Sequence, residues 1–134
     1  MVRNILAIVC GFIVGSLINF SLIAIGPYLI PPPPGVDLKT TEGLIAAMPL
    51  LQPKHFIFPF LAHAFGTLIG AIVAVIIAKT HKKTLVMIMG ILFLTGGIIA
   101  SLIIPAPTWF IFIDLVFAYT PMAWLGGRIA GANK

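Results

Sequence analysis

The chain has 134 residues, 60% of them hydrophobic and only 8% charged, and its mean hydropathy is +1.18. A water-soluble domain carries roughly a quarter of its residues as charges, so eight basic and three acidic side chains exclude the soluble enzyme, the nucleic-acid binder and the disordered tail. What remains is an all-α integral membrane protein, a single transmembrane domain over 1–134, whose first partner is the lipid bilayer.

A helix rises about 1.5 Å per residue, so about 20 apolar residues cross a hydrocarbon core of about 30 Å. The first such run is 5–25, behind Arg3. It exceeds the roughly 7–15 residues of a signal-peptide core and reads as a retained span. Its one cysteine, Cys10, reads as a small buried hydrophobe, and no disulfide framework exists. Residues 26–54 form the longest connection. They begin with Pro31-Pro32-Pro33-Pro34-Gly35, a stiff stretch without backbone donors. Thr41 is expected to cap a short helix from Glu42 to Met48, ended by Pro49, with Leu44, Ile45, Met48 and Leu51 as its apolar side. That segment either covers helix ends or gates a pocket.

The second and third spans are 56–78 and 85–104, joined by the basic turn Lys79-Thr80-His81-Lys82-Lys83-Thr84. After Pro105-Ala106-Pro107-Thr108 comes the fourth span, 109–125, bracketed by Trp109 and Trp124 as an aromatic belt would bracket it. The spans thus predict a four-helix bundle. The starts of spans two and four are alike: the run Pro53 to Phe65 aligns with Pro107 to Tyr119 through Pro, Phe-Ile-Phe, Leu and Ala. That likeness raises the prospect of two related helical hairpins.

Charge sets the expected orientation. Arg3, Lys79, Lys82, Lys83, Arg128 and Lys134 fall on one side against Lys39 and Lys54 on the other, which predicts both termini in the cytoplasm and the helix of the first loop outside.

Apolar side chains gain little by leaving lipid for protein, so membrane helices associate through small residues and polar contacts. Gly11 and Gly15 continue to Asn19 on span one. Gly66 and Gly70 continue to Ala74 and Ala78 on span two, with His63 and Thr67 on the adjoining edge. Gly90, Gly97 and Ser101 mark span three, and Asp114, Ala118 and Pro121 mark span four. These stripes are the expected inward faces.

Asp114 is the costliest of these residues, since a charge at the bilayer centre costs about 2.5–3.5 kcal/mol on insertion scales. It lies about 8 Å below Trp109, while His63 lies about 12 Å below His55 and Asn19 about 9 Å from Ile25. The three depths agree, which predicts a pocket of Asp114, His63 and Asn19, with Thr67 and Tyr119 as the next members and Glu42 approaching from the loop. Three readings of the cluster remain open. It is interhelical glue, a site for a small ligand, lipid or proton, or the centre of a lipid-modifying enzyme. The absence of a His-Glu-x-x-His helix, a Gly-x-Ser-x-Gly elbow and a phosphate-cradling loop weakens the enzymatic reading and leaves no catalytic residue to name. No cofactor is expected. No metal site is expected either, because His55 and His63 stand about 80° apart around the helix and two turns distant.

The run Pro53-Lys54-His55-Phe56-Ile57-Phe58-Pro59-Phe60-Leu61-Ala62-His63-Ala64-Phe65-Gly66-Thr67-Leu68-Ile69-Gly70, with Trp109-Phe110, Asp114-Leu115 and Pro121-Met122-Ala123-Trp124-Leu125-Gly126-Gly127, resembles a group of small, uncharacterised bacterial four-span inner-membrane proteins. The resemblance implies a bacterial inner-membrane location and brings no reaction with it. The functional expectations are therefore three. The first is a small-ligand, lipid or proton-binding protein. The second is an accessory subunit that docks through its glycine faces. The third is a lipid-modifying enzyme. A transporter built from four spans would need two copies, which makes a homo-oligomer a further expectation.

Overall fold

The computed structural model describes residues 1–133 and contains only helices: α1 (Val2–Leu29), α2 (Thr41–Ala47), α3 (Ile57–Ile77), α4 (Lys82–Ile103), α5 (Thr108–Phe117) and α6 (Thr120–Ile129). Two short 3-10 turns, Met48–Leu50 and Pro53–Phe56, lie between α2 and α3. Four helical stretches are long and apolar enough to cross a membrane: Val2–Leu29, Pro53–Ile77, Lys82–Ile103 and Thr108–Ile129.

The first span runs longer than 5–25 because nothing in 26–29 stops it. Pro27 is absorbed within the helix, and Ile30 still donates to the Gly26 carbonyl at 2.8 Å. The prolines at 31–34 then deny the next turn its donors. The fourth span departs from expectation more sharply. It breaks between Phe117 and Thr120, where Tyr119 has φ −115° and ψ −81°. Pro121 has no N–H to give the carbonyl four residues back, and its ring crowds that carbonyl. The break is buried, with Ala118 0% and Tyr119 2% exposed, as irregular backbone at this depth must be. Pro121 itself is exposed, so it shapes the inward face without belonging to it. The likeness between spans two and four ends here, since α3 runs unbroken through the aligned positions. Phe56 and Phe110, paired in that alignment, do meet at 4.8 Å between ring centroids.

The buried core joins α3, α4 and α6 through Ala71, Val75, Met89, Phe93 and Ala123, and α1 packs on α3 along a glycine seam. A Cβ placed at Gly11 would lie 2.6 Å from the Gly70 carbonyl oxygen, and one at Gly15 would lie 2.5 Å from that of Gly66. Carbonyls and α-carbons of opposite helices therefore touch along two successive turns, an approach only glycine permits. The α3 helix sits at the centre and also receives α6, where a Cβ at Gly126 would lie 2.5 Å from the Leu68 carbonyl oxygen. At the end of the bundle that holds the basic turn, Arg3 Nε donates to the Ile77 carbonyl at 2.7 Å. Asn4 there donates to Thr80 at 3.0 Å. The start of α1 and the end of α6 lie at that end, with Arg3, Lys79, Lys82, Lys83 and Arg128. Lys134, counted with these bases in the sequence, lies outside the described residues.

At the opposite end the long connection folds back over the helices. Thr40, one residue before the expected cap, accepts from the Gly43 N–H at 3.0 Å and starts α2. Leu44, Met48 and Leu51 pack towards Phe56, Phe60 and Phe110, while Ile45 points away and is 39% exposed. His55 clamps this segment. Its Nδ1 accepts from the Gln52 N–H at 2.9 Å, which leaves Nε2–H to donate to the Pro31 carbonyl at 3.0 Å.

Candidate functional site

On α5, Phe110, Asp114 and Ala118 repeat every four residues and form the buried face. The break after Ala118 then turns Tyr119 inward. Its hydroxyl donates to Asp114 Oδ2 at 2.9 Å. The ring fits only because residue 97 is glycine, since a Cβ there would overlap the Tyr119 ring. From α3, His63 Nδ1 meets Asp114 Oδ1 at 2.7 Å. The imidazole and the Tyr119 ring stack, with centroids 5.6 Å apart and planes at 26°. Asp114 is 4% exposed, and each of its oxygens has a partner.

The bond to Asp114 occupies His63 Nδ1 and leaves Nε2 as the free nitrogen of the ring.

Two openings reach His63. The first is an apolar cavity of about 220 Å³ between the dyad and the folded connection. Leu38, Leu44 and Met48 line it towards α2, Phe58 and Ile104 line its sides, and Asp114 and His63 line its inner end. The second is a cleft of about 210 Å³ between α1 and α4, to which Ser16, Asn19, His63 and Tyr119 contribute.

The five pocket residues expected from sequence are thus sorted. Asp114, His63 and Tyr119 form one bonded cluster. Asn19 does not join it; it lines the cleft on the other side of His63, because the glycine seam holds its Cβ and backbone N beside Gly66. Thr67 is fully buried, but its hydroxyl donates to the His63 carbonyl of its own helix at 2.8 Å and reaches neither opening. Glu42 sits exposed in the first turn of α2, away from both. Of the packing glycines, Gly11, Gly15, Gly66 and Gly70 form the α1–α3 seam, and Gly97 accommodates Tyr119. Among the described residues no third His, Cys, Asp or Glu stands with His63 and Asp114 to make a metal-ligand group.

Sequence reasoning missed the clamp by His55, whose spacing three after Gln52 was the available signal. It also missed the glycines of α6, Gly126 and Gly127, which lie against Leu68 and Val86. No family model, curated protein or solved structure matches the chain.

Proposed function

We propose that this is a multi-pass protein of a bacterial inner membrane that binds a small amphipathic molecule in the cavity beneath α2. Both termini lie in the cytoplasm and the long connection outside. The observation that carries the reading is an Asp114–His63 pair, bonded at 2.7 Å, at the inner end of a cavity whose other walls are almost entirely apolar. A site of that kind holds an apolar body by contact and one polar atom by a directed bond. Size narrows the occupant. A cavity of about 150 Å³ holds a benzene ring, so about 220 Å³ suits a substituted ring or the end of one acyl chain, not a whole phospholipid. A carboxyl and an imidazole bonded at 2.7 Å can pass a proton between them, which supports proton exchange with the occupant at the same site.

The orientation rests on the basic residues gathered at one end of the bundle. Docking of another subunit through the glycines is the weaker reading, because Gly11, Gly15, Gly66 and Gly70 are already occupied by one another.

Native mass spectrometry of the protein released from lipid discs tests the proposal and reads copy number, hence homo-oligomers, in the same spectrum. A retained small molecule is expected with the natural chain and should fall away with Ser101→Leu, which fills the cavity, and with His63→Ala. Equal retention by all three, or no retained molecule in any, refutes it. Reporter fusions that place the C-terminus outside would overturn the orientation.

A further inference from the structure

The lateral cleft holds three polar groups with no assigned task. Ser16 and Asn19 project from one stripe of α1, and His63 stands opposite. Among the described residues, neither the Ser16 hydroxyl, the Asn19 amide nor His63 Nε2 has a hydrogen-bond partner. None is sealed from open space either, since no buried side-chain polar atom lacks a partner. Three unsatisfied groups in one apolar cleft are a built set of directed contacts awaiting a ligand.

The chemistry of that ligand follows from the donors. His63 Nδ1 is bonded to Asp114 and Nε2 is free; as an N–H, Nε2 meets an acceptor on the ligand. Asn19 and Ser16 can donate to a second acceptor. Aromatic rings make up much of the remaining wall, beside Leu92, Ala100 and two glycines. Phe12 and Phe93 meet at 5.3 Å between centroids, and the His63–Tyr119 stack forms the other side. Flat rings pack well against such faces. The cleft has room for one substituted ring, at about 210 Å³ against the roughly 150 Å³ that holds benzene. Its mouth lies between Phe20, 70% exposed, and Leu92, 38% exposed, so a tail would run out sideways.

Depth decides between two carriers of a carbonyl acceptor. Asn19 stands about 5 Å from the middle of α1, and Gly97 about 7 Å from the middle of α4. Phospholipid ester carbonyls sit at the edge of the hydrocarbon core, about 15 Å from its centre. They do not reach the cleft, whereas an uncharged ring moving freely through the core does. We propose that the cleft between α1 and α4 is a second binding site, for the dicarbonyl ring of a lipid-soluble quinone, with one ring oxygen on His63 Nε2–H and the other on Asn19 and Ser16. The site shares His63 with the capped cavity but does not depend on that cavity having an occupant.

Gly96 provides the probe. A Cβ there meets nothing within 4 Å, so Gly96→Phe fills the cleft from an exposed position, while Ser101→Leu fills only the capped cavity. The full chain is placed in discs of ether-linked lipid, which have no ester carbonyls, and titrated with 2-decyl-1,4-benzoquinone or with decylbenzene. The quinone is expected to bind saturably, one per chain, and decylbenzene not to. Asn19→Leu and Gly96→Phe should each weaken binding about tenfold or more, and Ser101→Leu should change it less than about twofold. Absence of saturable quinone binding overturns the proposal, as does equal binding of decylbenzene or indifference to Asn19→Leu or Gly96→Phe. Loss with Ser101→Leu alone would place the quinone in the capped cavity instead. Displacement of the quinone by a diester lipid would reassign the cleft to ester carbonyls.

Discussion

In the seam between α1 and α3 two pairs of glycines bring helix backbones into direct contact, and Gly15→Ala tests whether it holds the fold. The added Cβ would lie 2.5 Å from the Gly66 carbonyl oxygen and 2.6 Å from the edge of the Phe93 ring, whereas ordinary contact begins at 3.4 Å. The carbonyl belongs to a helix and cannot swing away, so α1 must withdraw by 3.4 − 2.5 = 0.9 Å. That opens the adjoining Gly11–Gly70 contact as well. Overpacking of this kind costs about 1–3 kcal/mol. Alanine also favours helix over glycine by about 0.5–1 kcal/mol, which would blur the result. Gly96→Ala removes the ambiguity, since it makes the same chemical change on α4 with nothing within 4 Å of the new methyl. The helix-propensity gain cancels between the two variants, leaving a difference of about 1–3 kcal/mol for packing alone. Reversible unfolding by dodecyl sulfate in mixed micelles, followed by circular dichroism, measures both. Gly96→Ala should match or exceed the natural chain, and Gly15→Ala should unfold at lower sulfate fraction. Equal behaviour of the two would refute the idea that the seam sets stability.

Tyr119→Phe keeps the buried ring but leaves Asp114 Oδ2 without its donor. It should cost about 1–3 kcal/mol in the same unfolding assay, and an unchanged midpoint would show that the hydroxyl contributes nothing. The cap of α2 is acid-sensitive. The Lys39 N–H and the Thr40 hydroxyl hold the Asp37 carboxyl below its ordinary value of 3.8. The contribution of that carboxylate is therefore present above pH 3.8 and is lost as pH falls through the lowered value. Protection of the Gly43 amide, its exchange rate taken relative to the intrinsic rate at each pH, should fall over that acid range in the natural chain and should be reduced at higher pH already in Asp37→Ala. A flat profile in the natural chain would remove Asp37 from the cap.

Composition and periodicity alone determined that four apolar helices exist and that Gly11, Gly15, Gly66, Gly70 and Gly97 are packed inside. Hydrocarbon-length runs and glycine spacings are local quantities that no partner needs to complete. The same holds for the short helix of the connection, although its cap is Thr40, because Asp37 supports that hydroxyl through a bond to Thr40 Oγ1 of 2.9 Å. The pairing of Asp114 with His63 was approachable by depth, since helix rise converts residue number into height. The direction a side chain faces was not. Asn19 shares that height, yet the glycine seam rotates it to the other side of His63. Thr67 lies one turn below His63 and spends its hydroxyl on its own helix. Only the packed bundle decided that Pro121 breaks the fourth span and that Gly97 leaves room for the tyrosine the break turns inward. Rotation about a helix axis is set by the neighbours it touches, and a single chain of letters records height far better than azimuth.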